Sequence, residues 1–94
     1  MVKAAPNKSI ILAKVIGVEK FKSPDIYSAR LEIVDSRSVE GYENFLNKSI
    51  GKFIHARIFS KKQLVPSEKS LRIALRYEGD ESGGMYYGST EDEQ

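Results

Sequence analysis

Apolar and polar residues alternate with a period of two through most of this 94-residue chain, and this alternation favours β-strands over helices. The clearest example lies within residues 26–35, where Tyr27, Ala29, Leu31 and Ile33 share one side and polar residues occupy the other. Turn-forming residues separate the alternating segments. The pattern predicts five strands, at about residues 9–21, 26–36, 52–60, 70–78 and 84–89.

The first predicted strand is long, and its alternation breaks at Gly17. A lone glycine inside a strand is typical of a bulge or a sharp bend. A long bent strand that leads into a meander and a closing hairpin is typical of a small closed barrel, which leaves no sheet edge exposed. We therefore expect an all-β, five-stranded closed barrel in one domain, residues 1–94, with the barrel at 9–89 and loose termini at 1–8 and 90–94.

The strand count, the bend at Gly17 and the terminal hairpin resemble the OB-fold, the oligonucleotide/oligosaccharide-binding superfamily, over about residues 9–89. No specific family within it is indicated. The usual OB-fold helix lies between strands three and four, where this chain has only residues 61–69. The best helical spacing occurs instead in residues 38–50, which predicts a short helical or irregular segment between strands two and three. An SH3-like barrel has the same strand count and is the alternative fold.

Charge is sorted along the chain. Residues 1–77 contain all 15 Lys and Arg against seven carboxylates, a net charge of +8, whereas residues 78–94 contain six carboxylates and no base, a net charge of −6. A cationic body with an acidic end favours a polyanionic partner, and the acidic end is expected to moderate the affinity.

Composition argues against several other classes of function. The chain has no cysteine, so disulfides, thiolate zinc sites and cysteine nucleophiles are excluded. The lone histidine, His55, lacks the partners of a zinc site or a catalytic triad, so we expect no enzymatic activity, no metal and no cofactor. The longest apolar stretches, Ile10–Ala13 and Val15–Val18, are far shorter than the roughly 18 residues of a membrane span. We expect a cytoplasmic protein without a membrane segment.

The third predicted strand carries the candidate site. If Ile54, Ala56 and Ile58 face the core, alternation places aromatic and cationic side chains together on the outer face. Aromatic rings stack on unpaired bases and cations neutralise phosphates, which is the chemistry that single-stranded nucleic acid requires. The residues expected to stack on bases are Phe53, His55 and Phe59. The residues expected to contact phosphate are Arg30, Arg57, Lys61, Lys62 and Arg72.

The function expected from this pattern is low-specificity binding of single-stranded RNA or DNA. Three alternatives remain open at the level of sequence, and the last of them is a carbohydrate ligand that would also stack on the aromatic residues. In the first, Phe53 and Phe59 are covered by residues 38–50 or by a chain terminus, and form a second small core. In the second, the same aromatic and basic face binds a protein partner, because aromatic residues and Arg are also enriched in protein interfaces.

Overall fold

A computed structural model describes residues 6–21, 24–80 and 83–90 of the protein. These residues form five strands and no helix, and the strands close into a barrel. The structure confirms the predicted all-β, five-stranded closed barrel. The strands are β1 Ser9–Lys20, β2 Ile26–Ser38, β3 Phe53–Phe59, β4 Leu71–Asp80 and β5 Gly83–Thr90.

Neighbouring strands around the barrel follow the order β1-β2-β3-β5-β4, and β4 returns to β1. The β3·β5 pair is parallel and the other four pairs are antiparallel. The sheet is therefore mixed, and its order differs from the order along the chain. At this coarse level the barrel is consistent with an OB-like fold.

The bend predicted at Gly17 is present as an irregularity in the β1·β2 register. Val15 pairs with Leu31 and Gly17 pairs with Arg30, so Ile16 is an extra residue on β1. Beyond this bulge β1 pairs with β2 alone, whereas its first part pairs with both β2 and β4. An extra residue bends a strand and increases its twist. This bend helps the long β1 to pair with β2 on one side and β4 on the other, which closes the barrel.

The core is made by the alternating residues that the sequence indicated. On β2 the predicted inward set of Tyr27, Ala29, Leu31 and Ile33 is buried, and the polar residues between them are at least partly accessible. Corresponding residues of β1, β3 and β4 complete the same cluster: Ile11, Ala13, Val15, Ala56, Ile58, Ile73 and Leu75. Leu46 and Leu64 join it from the connecting segments.

The segment between β2 and β3 is a series of turns rather than a helix. Backbone amides donate to carbonyls three residues earlier, as from Ser49 to Leu46, and Gly41 and Gly51 have φ values of +88° and +87°. These left-handed positions interrupt helical geometry but suit glycine. The Asn44 side chain stabilises the segment: its Oδ1 accepts from the Leu46 amide at 2.9 Å and from the Ser9 hydroxyl at 2.6 Å.

The chain before β1 is attached to β4. The Asn7 side chain donates to the carbonyl of Tyr77 at 2.9 Å and accepts from the amide of Tyr77 at 2.7 Å. Of the termini expected to be loose, residues 1–5 and 91–94 lie outside the described residues, whereas Thr90 pairs with Ile73 as the last residue of β5.

Candidate functional site

The outer face of β3 carries the four side chains expected there. Phe53, His55, Arg57 and Phe59 are exposed, while Ala56 and Ile58 between them are buried. Phe53 and Phe59 are 49% and 45% exposed, so residues 38–50 do not bury either ring. Strand alternation thus produces a surface of two accessible rings interleaved with an imidazole and a guanidinium.

Arg30 joins this face from β2. It pairs in register with His55, and its guanidinium carbon lies 4.9 Å from the centroid of the Phe53 ring. This is a cation–π arrangement, which holds a flexible side chain against the sheet while its charge stays at the surface. The expectation that Arg30 lies beside the outer residues of β3 is therefore met.

The face continues across β5 to β4. Arg57 pairs with Tyr87 on β5, and Tyr87 pairs with Arg76 on β4, so three strands contribute to one row. The Arg76 guanidinium carbon lies 5.5 Å from the Tyr87 ring centroid, and that of Arg57 lies 4.9 Å from the ring of Phe21. The predicted site did not include Phe21, Arg76 or Tyr87.

The sequence indicates that either Tyr86 or Tyr87 lies on the outer face of the barrel, but not which one. Tyr86 and Tyr87 must point to opposite faces of β5, but alternation alone does not say which is outside. In the structure Tyr86 packs against the core, with its ring 5.0 Å from that of Tyr77. Burial and the nearby Tyr77 raise the pKa of Tyr86 above its ordinary value of 10.0, because both disfavour the phenolate. Tyr87 is consequently the tyrosine of the outer face.

Two neighbouring grooves, each of about 470 Å³, run along this surface. The first, here called the Phe21 groove, includes Phe21 and Arg57, and the second, the Tyr42 groove, includes Lys8 and Tyr42. No carboxylate lines either groove among the described residues. Four residues line both grooves and form their common wall: Phe59, Arg76, Tyr87 and Gly88.

Phe59 is slightly less exposed than Phe53, but its surroundings suit a stacking ligand better. It borders both grooves, and no guanidinium lies over its ring among the described residues, whereas Arg30 lies over Phe53. Phe53 also faces an acidic neighbour, because Glu32 pairs with it on β2. The Phe59 end of β3 is therefore better suited to a polyanion than the Phe53 end.

The other predicted phosphate contacts divide into two groups. Lys61 and Lys62 are exposed and follow the Phe59 end of β3 directly. Arg72 is also exposed, but it pairs with Leu12 and lines a small crevice that includes Asp35. It lies four residues before Arg76 on β4, or roughly 13 Å along the strand. The structure therefore does not place Arg72 in the row formed by Arg57, Tyr87 and Arg76.

The charges of this surface are largely available to a ligand. Within the described ranges, ion pairs join Lys14 to Glu68 and Arg76 to Glu78, and neither includes a residue predicted to contact phosphate. In the same ranges, no three His, Asp or Glu side chains are grouped in a way that could hold a metal ion. The part of the chain that the structure describes also contains no helix long and apolar enough to cross a membrane.

No protein-family model, curated protein or solved structure matches this chain.

Proposed function

We propose that the protein is a non-catalytic, OB-like module that binds single-stranded RNA or DNA with low sequence specificity. The observation that carries the proposal is the pair of half-exposed rings, Phe53 and Phe59, with His55 and the cationic Arg57 between them on one face of β3. A strand order in which β5 lies between β3 and β4 supports an OB-like rather than a meandering arrangement, because it departs from chain order as Greek-key sheets do.

Each part of the ligand has a matching group on this surface. Bases stack on exposed rings, with a contribution of about 1–3 kcal/mol per base, and such stacking tolerates any base sequence. Arg30, Arg57, Lys61 and Lys62 supply positive charge for phosphates. A duplex keeps its bases stacked on each other, so the rings have no free base to contact. The surface therefore favours single strands over duplexes.

Fluorescence anisotropy with labelled single-stranded RNA, single-stranded DNA and duplex DNA, each at low and physiological salt, tests the proposal. We expect salt-sensitive binding to at least one single strand and weaker binding to the duplex. For single strands, the logarithm of affinity falls with the logarithm of salt concentration by about 0.7 per phosphate contacted. No binding at low salt, where the cationic surface attracts most strongly, would refute the proposal.

The alternative is a protein-interaction module that uses the same face. It is favoured by the exposed rings of Phe53 and Phe59 beside Arg57, because aromatic residues and Arg are also enriched in protein interfaces. Salt separates the two functions, because an apolar protein interface responds weakly to salt whereas phosphate contacts respond steeply. Self-association, or binding of a protein partner that responds weakly to salt, would favour the alternative.

A further inference from the structure

The Tyr42 groove contains a second aromatic and cationic pair, outside the face of β3. Tyr42 is 49% exposed, and the side chain of Lys8 is exposed beside the same groove. Neither residue belongs to β3 or to its neighbours β2 and β5, because Lys8 precedes β1 and Tyr42 lies between β2 and β3. Tyr42 and Lys8 thus bring an aromatic ring and an ammonium group together, although strand alternation does not predict either position.

Hydrogen bonds hold these two residues in place on the barrel. Asn7 is bonded to both backbone groups of Tyr77, and the amide of Lys8 donates to the carbonyl of Glu43 at 3.0 Å. The bond to Glu43 ties the start of the chain to the residue that follows Tyr42. The groove is therefore formed before any ligand arrives, which lowers the conformational entropy lost on binding.

The groove is continuous with the proposed stacking face. It shares Phe59, Arg76 and Tyr87 with the Phe21 groove, so a ligand that passes over Phe59 meets both. Neighbouring strands lie about 4.8 Å apart, so the path from β3 over β5 to β4 measures roughly 10 Å. Phe59 and Tyr42 both line this groove, so one nucleic-acid strand can present a separate base to each ring.

Size and lining favour the Tyr42 groove over the crevice on the β1·β4 side. Lys8 and Arg76 line the Tyr42 groove without a carboxylate among the described lining residues, although Glu78 pairs with Arg76 and the exposed Glu43 follows Tyr42 in the chain. The crevice lined by Leu12 and Arg72 is far smaller, at about 20 Å³, and its lining includes Asp35. The Tyr42 groove is therefore the one with room for a base beside its cations.

We infer that single-stranded nucleic acid continues from β3 over β5 and β4 into the Tyr42 groove, where Tyr42 stacks on a base and Lys8 contacts a phosphate. This inference rests on the proposed function and extends its binding track. It predicts that oligonucleotides long enough to reach Tyr42 bind more tightly than those that cover only the Phe59 region.

A length series tests the inference, with single-stranded oligonucleotides from about four to about 16 nucleotides, the range of known OB-fold site sizes. For Tyr42→Ala we expect unchanged affinity for the shortest oligonucleotide that binds and a loss of about 5- to 150-fold for the longest, equivalent to one stacked base. Phe45→Ala is the control, because Phe45 is an aromatic residue of the same segment, 38% exposed and outside both grooves.

Lys8→Gln provides a second variant that removes charge without removing a ring. For long oligonucleotides only, we expect the slope of log affinity against log salt concentration to be about 0.7 smaller in magnitude than in the wild type. If the wild type binds but both variants match it at every length, the inference is wrong and the proposed function stands. If the wild type binds no single strand at any length, the proposed function fails and the inference fails with it.

Discussion

Replacing Phe59 by Ala tests whether its ring binds nucleic acid or mainly stabilises the fold. Phe59 borders both grooves and is 45% exposed, with no guanidinium over its ring among the described residues. Loss of one stacked base costs about 1–3 kcal/mol. At about 1.4 kcal/mol per tenfold change, we expect the dissociation constant for a single-stranded oligonucleotide to rise about 5- to 150-fold.

The expected cost in stability is smaller. Full burial of a phenylalanine stabilises a protein by about 1.5–3 kcal/mol, and Phe59 has only about half of its surface covered, so we expect a loss near 1 kcal/mol. In a domain of this size that corresponds to a decrease in Tm of about 4–8 °C. Phe59→Ala is therefore expected to remain folded at 25 °C.

Phe45→Ala is the matched control. Phe45 is 38% exposed and lies outside both grooves, with its ring 6.2 Å from that of Tyr77. We expect a similar decrease in Tm and no change in affinity. The assay is anisotropy with one labelled oligonucleotide, with thermal unfolding of each variant followed by circular dichroism. Equal affinities of Phe59→Ala and Phe45→Ala would refute the assignment of Phe59 as a stacking residue.

Four further changes have defined outcomes. Replacing Lys61 and Lys62 together by Gln should lower the salt-dependence slope by about 1.4, because each phosphate contact contributes about 0.7. Neutralising the carboxylates of residues 91–93 should tighten binding at low salt. It should not do so near 1 M salt, where charges interact over only about 3 Å. Gly88→Ala should destabilise the barrel by about 1–3 kcal/mol in thermal unfolding, because a Cβ there would lie 2.5 Å from a backbone oxygen. The stabilisation linked to the raised pKa of Tyr86 is complete below pH 10.0 and is lost as pH rises through the folded-state pKa, so Tyr86→Phe should lose less stability in urea unfolding at alkaline pH.

These changes also have controls. For the lysine pair, the control is Lys48→Gln, which removes one exposed charge at a residue that lines neither groove and should leave the slope unchanged. An effect as large per charge removed would indicate only general electrostatic attraction. For Gly88, the control is Gly17→Ala, since a Cβ at Gly17 would meet nothing within 4 Å and should change stability by less than about 0.5 kcal/mol. Unchanged affinity at low salt after the carboxylates of residues 91–93 are neutralised would mean that these residues do not affect binding. If the wild type and Tyr86→Phe lost stability equally at alkaline pH, the raised pKa of Tyr86 would be contradicted.

The strands and the face of β3 are visible in the sequence because both depend on local alternation. Period-two patterns specify which side of a strand is buried, and one residue of slip would have exchanged Phe53 and Phe59 for Ile54 and Ile58. The burial of Ala56 and Ile58 confirms the register. Even the bulge at Gly17 is a local feature, since one residue breaks the alternation there.

The rest of the site depends on which strands are neighbours. Arg57, Tyr87 and Arg76 form a row because β5 lies between β3 and β4, and the parallel β3·β5 pairing joins residues about 30 positions apart. Alternation within one strand contains no information about such pairing. Arg72 and Arg76 have the same local pattern, and only the barrel register places Arg76 in the row and Arg72 beside Leu12.

The segment between β2 and β3 shows a different limit of sequence patterns. Its apolar residues have helical spacing, yet Tyr42 and Ile50 are exposed and only Leu46 is buried. Side-chain bonds of Asn44 and the two left-handed glycines favour turns over a helix. The bond between Asn44 and Ser9 joins residues 35 positions apart, so no local pattern indicates it.

The most direct measurement is a titration of ¹⁵N-labelled protein with a single-stranded oligonucleotide, followed by amide chemical shifts. If single strands bind to the outer face of β3, the shifts will concentrate on β3 from His55 to Phe59 and on β5 around Tyr87, and they will decrease as salt is added. Shifts concentrated around Leu12 and Arg72 on the β1·β4 side, or no shifts at low salt, would show that this face is not the binding site.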